Sequence, residues 1–158
     1  MDSSRKLLRI LAFLCRIGLA AVFLFAAWPK LQDPAAFAKA IWNYRMALPL
    51  LGMNYVNAMA LFLPALELVL ALALVVGIWR RGASLLTMAF MLLFIIAISS
   101  AVARGLNIDC GCFGTSQAGV AIAHKVGLRR LLEDVAYFFM AGVVFWEALI
   151  ASRKVALR

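Results

Sequence analysis

Four segments of more than twenty mostly apolar residues constrain this chain more than any other feature of its sequence. They cover residues 7–28, 55–79, 83–103 and 131–151. A helix needs about 20 apolar residues to cross roughly 30 Å of hydrocarbon, because its backbone polar groups must bond within the segment. Hydrophobic residues make up 66% of the chain, well above the roughly 45–50% of a soluble domain. We therefore predict an all-α, polytopic membrane protein, with residues 1–158 forming one four-helix transmembrane bundle.

The basic residues indicate how the bundle is oriented. The net charge of +9 is spread over short clusters at segment ends, which does not suit a nucleic-acid surface. Eight Lys or Arg residues fall in short segments on the side of the termini: Arg5, Lys6, Arg9, Arg80, Arg81, Arg153, Lys154 and Arg158. Seven fall in the two long loops opposite: Lys30, Lys39, Arg45, Arg104, Lys125, Arg129 and Arg130. Cytoplasmic segments carry the denser positive charge, so we expect both termini inside and both long loops outside.

The first outer loop, "DPAAFAKAIWNYRMALP", contains a helix signal. Asp33 suits the N-cap position and Pro34 the first helical position. Phe37, Ile41 and Tyr44 follow at helical spacing. This pattern predicts a short helix that either lies in the outer membrane interface or caps the bundle.

Two charges lie inside the predicted spans, where ionised side chains are costly. Arg16 is 12 residues before Trp28, and Glu67 is 12 residues after Tyr55, so each lies ~18 Å from the outer end of its helix. Equal depth predicts an ion pair between Arg16 and Glu67. The pair would fix helix packing, and a proton or quinone-head site beside Glu67 remains the alternative.

The segment "NIDCGCFGTS" places Cys110 and Cys112 one residue apart in an outer loop. A disulfide between them needs a bent backbone, which Gly111 permits. The small strained ring favours thiol–disulfide exchange over stabilisation. Only His124 is available as a third zinc ligand, so we predict no metal site; an inert dithiol stays open. Cys15 lies deep in the first span and is expected to be inert.

The sequence resembles the DoxX-like superfamily, and within it the MauE group of redox-associated membrane proteins. "DCGCFG" is the most specific part of the resemblance, which also rests on "RIGLAAVFLFAAWPKLQDPAAFAKAIWNY" and "LPALELVLALALVVG". The matching residues are Arg16, Lys30, Pro64, Glu67, Asp109, Cys110, Gly111, Cys112, Phe113 and Gly114. Relatives tend to have Arg directly before the Asp near the start of the fourth span, where this chain has Glu133 before Asp134. Arg130, one turn earlier, is then expected to pair with Asp134.

The resemblance implies a bacterial cytoplasmic-membrane protein, with the cysteine loop on the periplasmic side, that matures exported partners. For the MauE group this implies the disulfide-rich small subunit of methylamine dehydrogenase. Wider relatives imply a quinone as electron partner, which the residues themselves do not require.

We therefore predict that Cys110 and Cys112 exchange disulfides with an exported thioredoxin-like or cysteine-containing protein. Asp109 would raise the pKa of Cys110, and Arg104 or the basic start of the last span would lower the pKa of either thiol. The alternative is a non-catalytic assembly subunit that docks a larger respiratory or maturation complex.

Overall fold

The computed structural model describes residues 2–44, 52–77, 79–106 and 127–156, and its elements are α-helices. They are α1 (Asp2–Gln32), α2 (Pro34–Asn43), α3 (Gly52–Val76), α4 (Arg80–Ala103) and α5 (Leu128–Ala156). Four of them contain apolar spans long enough to cross a membrane: Lys6–Gln32, Tyr55–Val76, Arg80–Ala103 and Leu128–Ser152. The predicted all-helical, four-span architecture is confirmed.

Helix α1 extends beyond the predicted end of the first span. It passes through Pro29 and ends at Gln32, because proline has a helical φ and disturbs only bonds to the preceding turn. The next turn is intact, since the Asp33 N–H donates to the Pro29 carbonyl at 3.2 Å. The extension brings Lys30 into the bundle, where the sequence alone had suggested a loop.

The bundle core lies between α1 and its neighbours. Helix α1 packs against α3 and α5, and α4 packs mainly against α5. Tilted aromatic rings join α1 to α4, with Phe23 and Phe90 centroids 5.8 Å apart and Phe90 and Phe94 centroids 5.0 Å apart. Large apolar side chains such as Phe25 and Trp146 point outward and are mostly exposed. Such an outer surface suits lipid rather than water.

Helix α2 begins as its sequence predicts. The Asp33 carboxylate accepts a hydrogen bond from the Ala36 N–H at 2.9 Å, and Pro34 occupies the first helical turn. Phe37 and Tyr44 are buried against the bundle, and α2 packs mainly on α3. The predicted short helix is therefore present, and it packs on the bundle through this buried face.

Replacing Asp33 with alanine should destabilise the protein by about 1 kcal/mol, because the Ala36 N–H loses its capping acceptor. Thermal unfolding in detergent micelles measures the effect. Asn43→Ala, at the exposed far end of α2, is the matched control and should change the melting temperature little. Equal shifts for the two variants would contradict the capping role.

Two residues between α3 and α4 have left-handed backbone conformations. Gly77 has φ +74° and Trp79 has φ +56°, and both values lie in the left-handed region, which costs a residue with a Cβ about 1–2 kcal/mol. The guanidinium of Arg16 occupies the space beside Gly77, because a Cβ built there would lie 2.6 Å from Arg16 Nη1. The positive φ is therefore the main reason for glycine at residue 77, because the flexible end of the Arg16 side chain can move away from an added Cβ.

Candidate functional site

The most polar part of the bundle interior is an ion pair between α1 and α3. Lys30 Nζ donates to Glu67 Oε1 at 2.6 Å, and the two side chains are 1% and 3% exposed. A lone charge at this depth would be costly, and a close pair offsets part of that cost. The predicted pair of Arg16 with Glu67 is therefore wrong, because Lys30 is the partner of Glu67.

The direction of side chains explains this correction. Every helical Cα–Cβ bond tilts toward the N-terminus of its own helix. Helices α1 and α3 run antiparallel, so Lys30 near the end of α1 reaches back into the bundle and Glu67 on α3 reaches toward it. Arg16 also tilts toward the start of α1 and thus away from Glu67. The equal depth predicted for the Arg16 and Glu67 Cα atoms did not identify the partner of Glu67, because it took no account of side-chain direction.

Helix α5 adds a second ion pair to the interior. Arg130 Nη2 lies 3.5 Å from Asp134 Oδ1, which is the i,i+4 pair expected from the sequence. Arg130 Nη1 also donates to Glu133 Oε2 at 2.8 Å. Arg130 and Asp134 are 6% and 2% exposed. We call Lys30, Glu67, Arg130 and Asp134 the ionic cluster; its two positive and two negative charges balance.

Aromatic side chains cover the ionic cluster. The Lys30 ammonium lies 4.9 Å from the Phe37 ring centroid and 5.5 Å from that of Phe94, so α2 and α4 each contribute a cation–π contact. Tyr44, at the end of α2, is also buried, and its carbonyl accepts a hydrogen bond from Arg104 Nη2 at 2.7 Å. Burial, with a smaller contribution from the Asp134 carboxylate, raises the pKa of Tyr44 to about 12. The phenol therefore stays protonated at physiological pH.

A small cavity lies within the ionic cluster. It measures about 20 Å³ and is lined by all four charged residues and by Tyr137, among others. Glu67 Oε2 and Asp134 Oδ2 are buried and accept no hydrogen bond from the described residues. A space of at least about 10–15 Å³ holds one water molecule, so this cavity fits a water but not a quinone ring. The residues around Glu67 thus do not fit the quinone head considered from the sequence.

Comparison with known proteins identifies the group to which this chain is related. The family described as "Methylamine utilisation protein MauE" matches residues 8–147, which is most of the chain. The chain belongs to the MauE family. A MauE protein of Methylophilus methylotrophus is 35% identical over 140 residues, or 88% of this chain and 68% of that protein. The MauE protein of Paracoccus denitrificans is 39% identical over 99 residues, covering 62% of this chain.

The MauE relatives are longer than the parts that match. The matched region spans 51% of the Paracoccus denitrificans protein and 46% of the Methylorubrum extorquens protein, which is 39% identical over 89 residues. No solved structure matches the chain.

The remaining predicted MauE site residues lie partly outside the described chain. Asp109, Cys110, Gly111 and Cys112 fall in residues 107–126, which the structure does not describe. Cys15 is a free, half-buried thiol on α1, so its position is consistent with the inert role expected for it.

Lys30 is the residue that sequence reasoning missed. It matched the MauE group by position, but it was counted as a loop charge because the span was ended at Trp28. The signal that could have found it was its position only two residues beyond Trp28. From there, a long side chain that points toward the helix N-terminus reaches the membrane interior.

Proposed function

We propose that this MauE-family protein serves methylamine utilisation by exchanging disulfides through Cys110 and Cys112 on the outer face of the membrane. The observation that carries the proposal is the Cys-Gly-Cys spacing between α4 and α5. A disulfide across a single residue closes a short strained ring, and strained disulfides exchange readily. We infer the process, methylamine utilisation, from the name of the family and of its members.

The exchange transfers two electrons between the Cys110–Cys112 pair and a disulfide of the partner protein. One thiolate attacks the partner, an S–S bond forms between the proteins, and one partner sulfur leaves as a thiolate. The second cysteine of the pair then attacks the mixed disulfide and releases the partner as a dithiol. The pair becomes a disulfide and the partner gains two electrons; the reverse sequence oxidises the partner.

Contacts at the end of α4 and at the start of α5 support this function by fixing the two helix ends that the cysteine segment connects. Arg104, just after α4, donates a hydrogen bond to the carbonyl of Tyr44, just after α2. Arg130, at the start of α5, forms an ion pair with Asp134. The segment with both cysteines connects these two helix ends. Arg104 is exposed and supplies positive charge at this end of α4, which favours thiolates nearby.

The charge distribution supports an outward cysteine segment. Lys30 and Arg130 are buried and leave the outer set, whereas the Arg16 guanidinium lies beside Gly77 and joins the inner set. The comparison of basic residues changes from eight against seven to nine against five. The side of the termini is thus richer in positive charge, as cytoplasmic faces are.

The reduction potential of the Cys110–Cys112 pair tests this proposal directly. Purified protein on a Cys15→Ala background is equilibrated with glutathione redox buffers, and its free thiols are counted by mass-tagged maleimide. Exchange proteins have potentials between about −120 and −270 mV, whereas structural disulfides lie below about −300 mV. We expect a value in the first range.

Trapping in cells provides the second readout. On the same background, Cys110→Ser and Cys112→Ser are compared for covalent adducts that a reductant releases. One single variant should accumulate a mixed disulfide, and the variant lacking both cysteines should form none. A potential below the exchange range, together with no adduct in either single variant, would instead favour the assembly-subunit alternative.

A further inference from the structure

The end of the bundle opposite the cysteine segment contains an arginine-rich cleft between α1, α4 and α5. It measures about 390 Å³ and is lined by Arg9, Ala12, Phe13, Arg16, Arg80, Val144, Glu147 and Ala151. Its volume is in the range of about 300–1,000 Å³ that is typical of ligand sites. We call it the arginine cleft.

The charges of the arginine cleft do not balance. Among the described residues that line it, Glu147 is the one acidic residue, and Arg80 Nη1 lies 3.4 Å from Glu147 Oε2. Arg9 and Arg16 make no ion pair with the residues that the structure describes. The cleft therefore carries two positive charges beyond those that Glu147 neutralises, and it suits an anion.

One N–H group of the Arg16 guanidinium lacks an acceptor among the described residues. Its Nε is buried and donates to none of the described residues. A buried donor without an acceptor is costly, and a guanidinium presents N–H groups in a fork that matches phosphate oxygens. The position beside Gly77 holds this fork at the level where α3 ends and α4 begins, which is the edge of the membrane.

The rest of the lining is apolar. Phe13 is half exposed toward the outside of α1, its ring centroid lies 5.3 Å from Arg16 Cζ, and Ala12, Val144 and Ala151 line the cleft beside it. A ligand that combines a phosphate with a hydrocarbon chain satisfies both parts of this surface. We propose that the arginine cleft binds the phosphate headgroup of an anionic phospholipid, with Arg9 and Arg16 as its ligands. This inference is independent of the proposed thiol exchange.

Lipid titration of the purified protein in a neutral detergent tests the assignment. Phosphatidylglycerol, phosphatidylcholine and inorganic phosphate are compared by native mass spectrometry and by the shift in melting temperature. We expect phosphatidylglycerol to bind at least about tenfold more tightly than the other two, because only it combines a net negative charge with acyl chains. Equal binding of phosphatidylcholine would overturn the proposal, and equal binding of inorganic phosphate would overturn its lipid assignment.

Charge-matched variants locate the site. Arg16→Gln should weaken phosphatidylglycerol binding about tenfold, as expected for losing hydrogen bonds to a charged group. Arg129→Gln is the control, since its guanidinium is exposed and lies at the other end of the bundle; it should change the affinity less than twofold. Equal affinities of Arg16→Gln and wild type would overturn the proposal. The comparison of lipids on the wild-type protein decides the question even if a variant does not fold.

Discussion

Replacing Lys30 with methionine is expected to destabilise the bundle more than any other single substitution discussed above. Methionine keeps the length of the side chain but leaves the Glu67 carboxylate buried and without its 2.6 Å partner. Breaking a buried pair in this way costs about 3–5 kcal/mol. Unfolding in mixed detergent micelles, followed by circular dichroism, measures the loss.

The double variant Lys30→Met with Glu67→Met is the decisive companion. Replacing both partners of a buried pair by apolar residues is often neutral or stabilising, so most of the lost stability should return. Lys39→Met, at an exposed position of α2, controls for the added methionine. A double variant as unstable as Lys30→Met alone would contradict the assignment of Lys30 and Glu67 as mutual partners.

The double variant also separates the two roles considered for Glu67. If the pair only fixes helix packing, the stable double variant keeps the reduction potential of the Cys110–Cys112 pair. If the Glu67 carboxylate handles a proton, the pH dependence of that potential should change. Both readouts use the titration described for the cysteines.

Replacing Gly77 with alanine is expected to cost about 1–2 kcal/mol, mainly because of the backbone conformation at this position. The φ of +74° disfavours any residue with a Cβ. The new Cβ would also lie 2.6 Å from Arg16 Nη1 and would displace the guanidinium. Chemical or thermal unfolding in detergent measures the sum.

Two further variants separate the penalties at Gly77. Gly142→Ala, within α5, has no atom within 4 Å of its added Cβ and should stabilise the protein by about 0.5–1 kcal/mol through helix propensity. Combining Gly77→Ala with Arg16→Ala removes the contact and retains the strained φ. The double variant should therefore recover part of the lost stability. No loss of stability in Gly77→Ala would contradict the left-handed backbone conformation at this position.

Features that depend on short stretches of chain were predictable from the sequence. The start of α2 is an example, since Asp33 caps the N–H of Ala36, only three positions away. Pro34 likewise suits the first helical turn without a contact to any other helix. The four spans follow from the physics of hydrocarbon, which each segment must satisfy by itself. The i,i+4 spacing of Arg130 and Asp134 likewise brings their side chains to the same face of one helix.

Features that depend on contacts between helices were not predictable in the same way. The sequence showed that Glu67 needs a positive partner, but it pointed to Arg16 and left Lys30 among the loop charges. Only the packing of α1 against α3, the continuation of α1 through Pro29 and the tilt of side chains toward helix N-termini selected Lys30. The same geometry placed Arg16 beside Gly77, 61 positions along the chain, where it lines a cleft that no local pattern indicates.

The sequence by itself determined that this chain forms a four-span helical bundle with a Cys-Gly-Cys segment, because burial in hydrocarbon and residue spacing are local constraints. The tertiary structure decided which charges meet inside the bundle and which remain available at its end. The physical reason is that an ion pair in hydrocarbon depends on a few ångströms of distance and on direction, and both are set by how neighbouring helices pack.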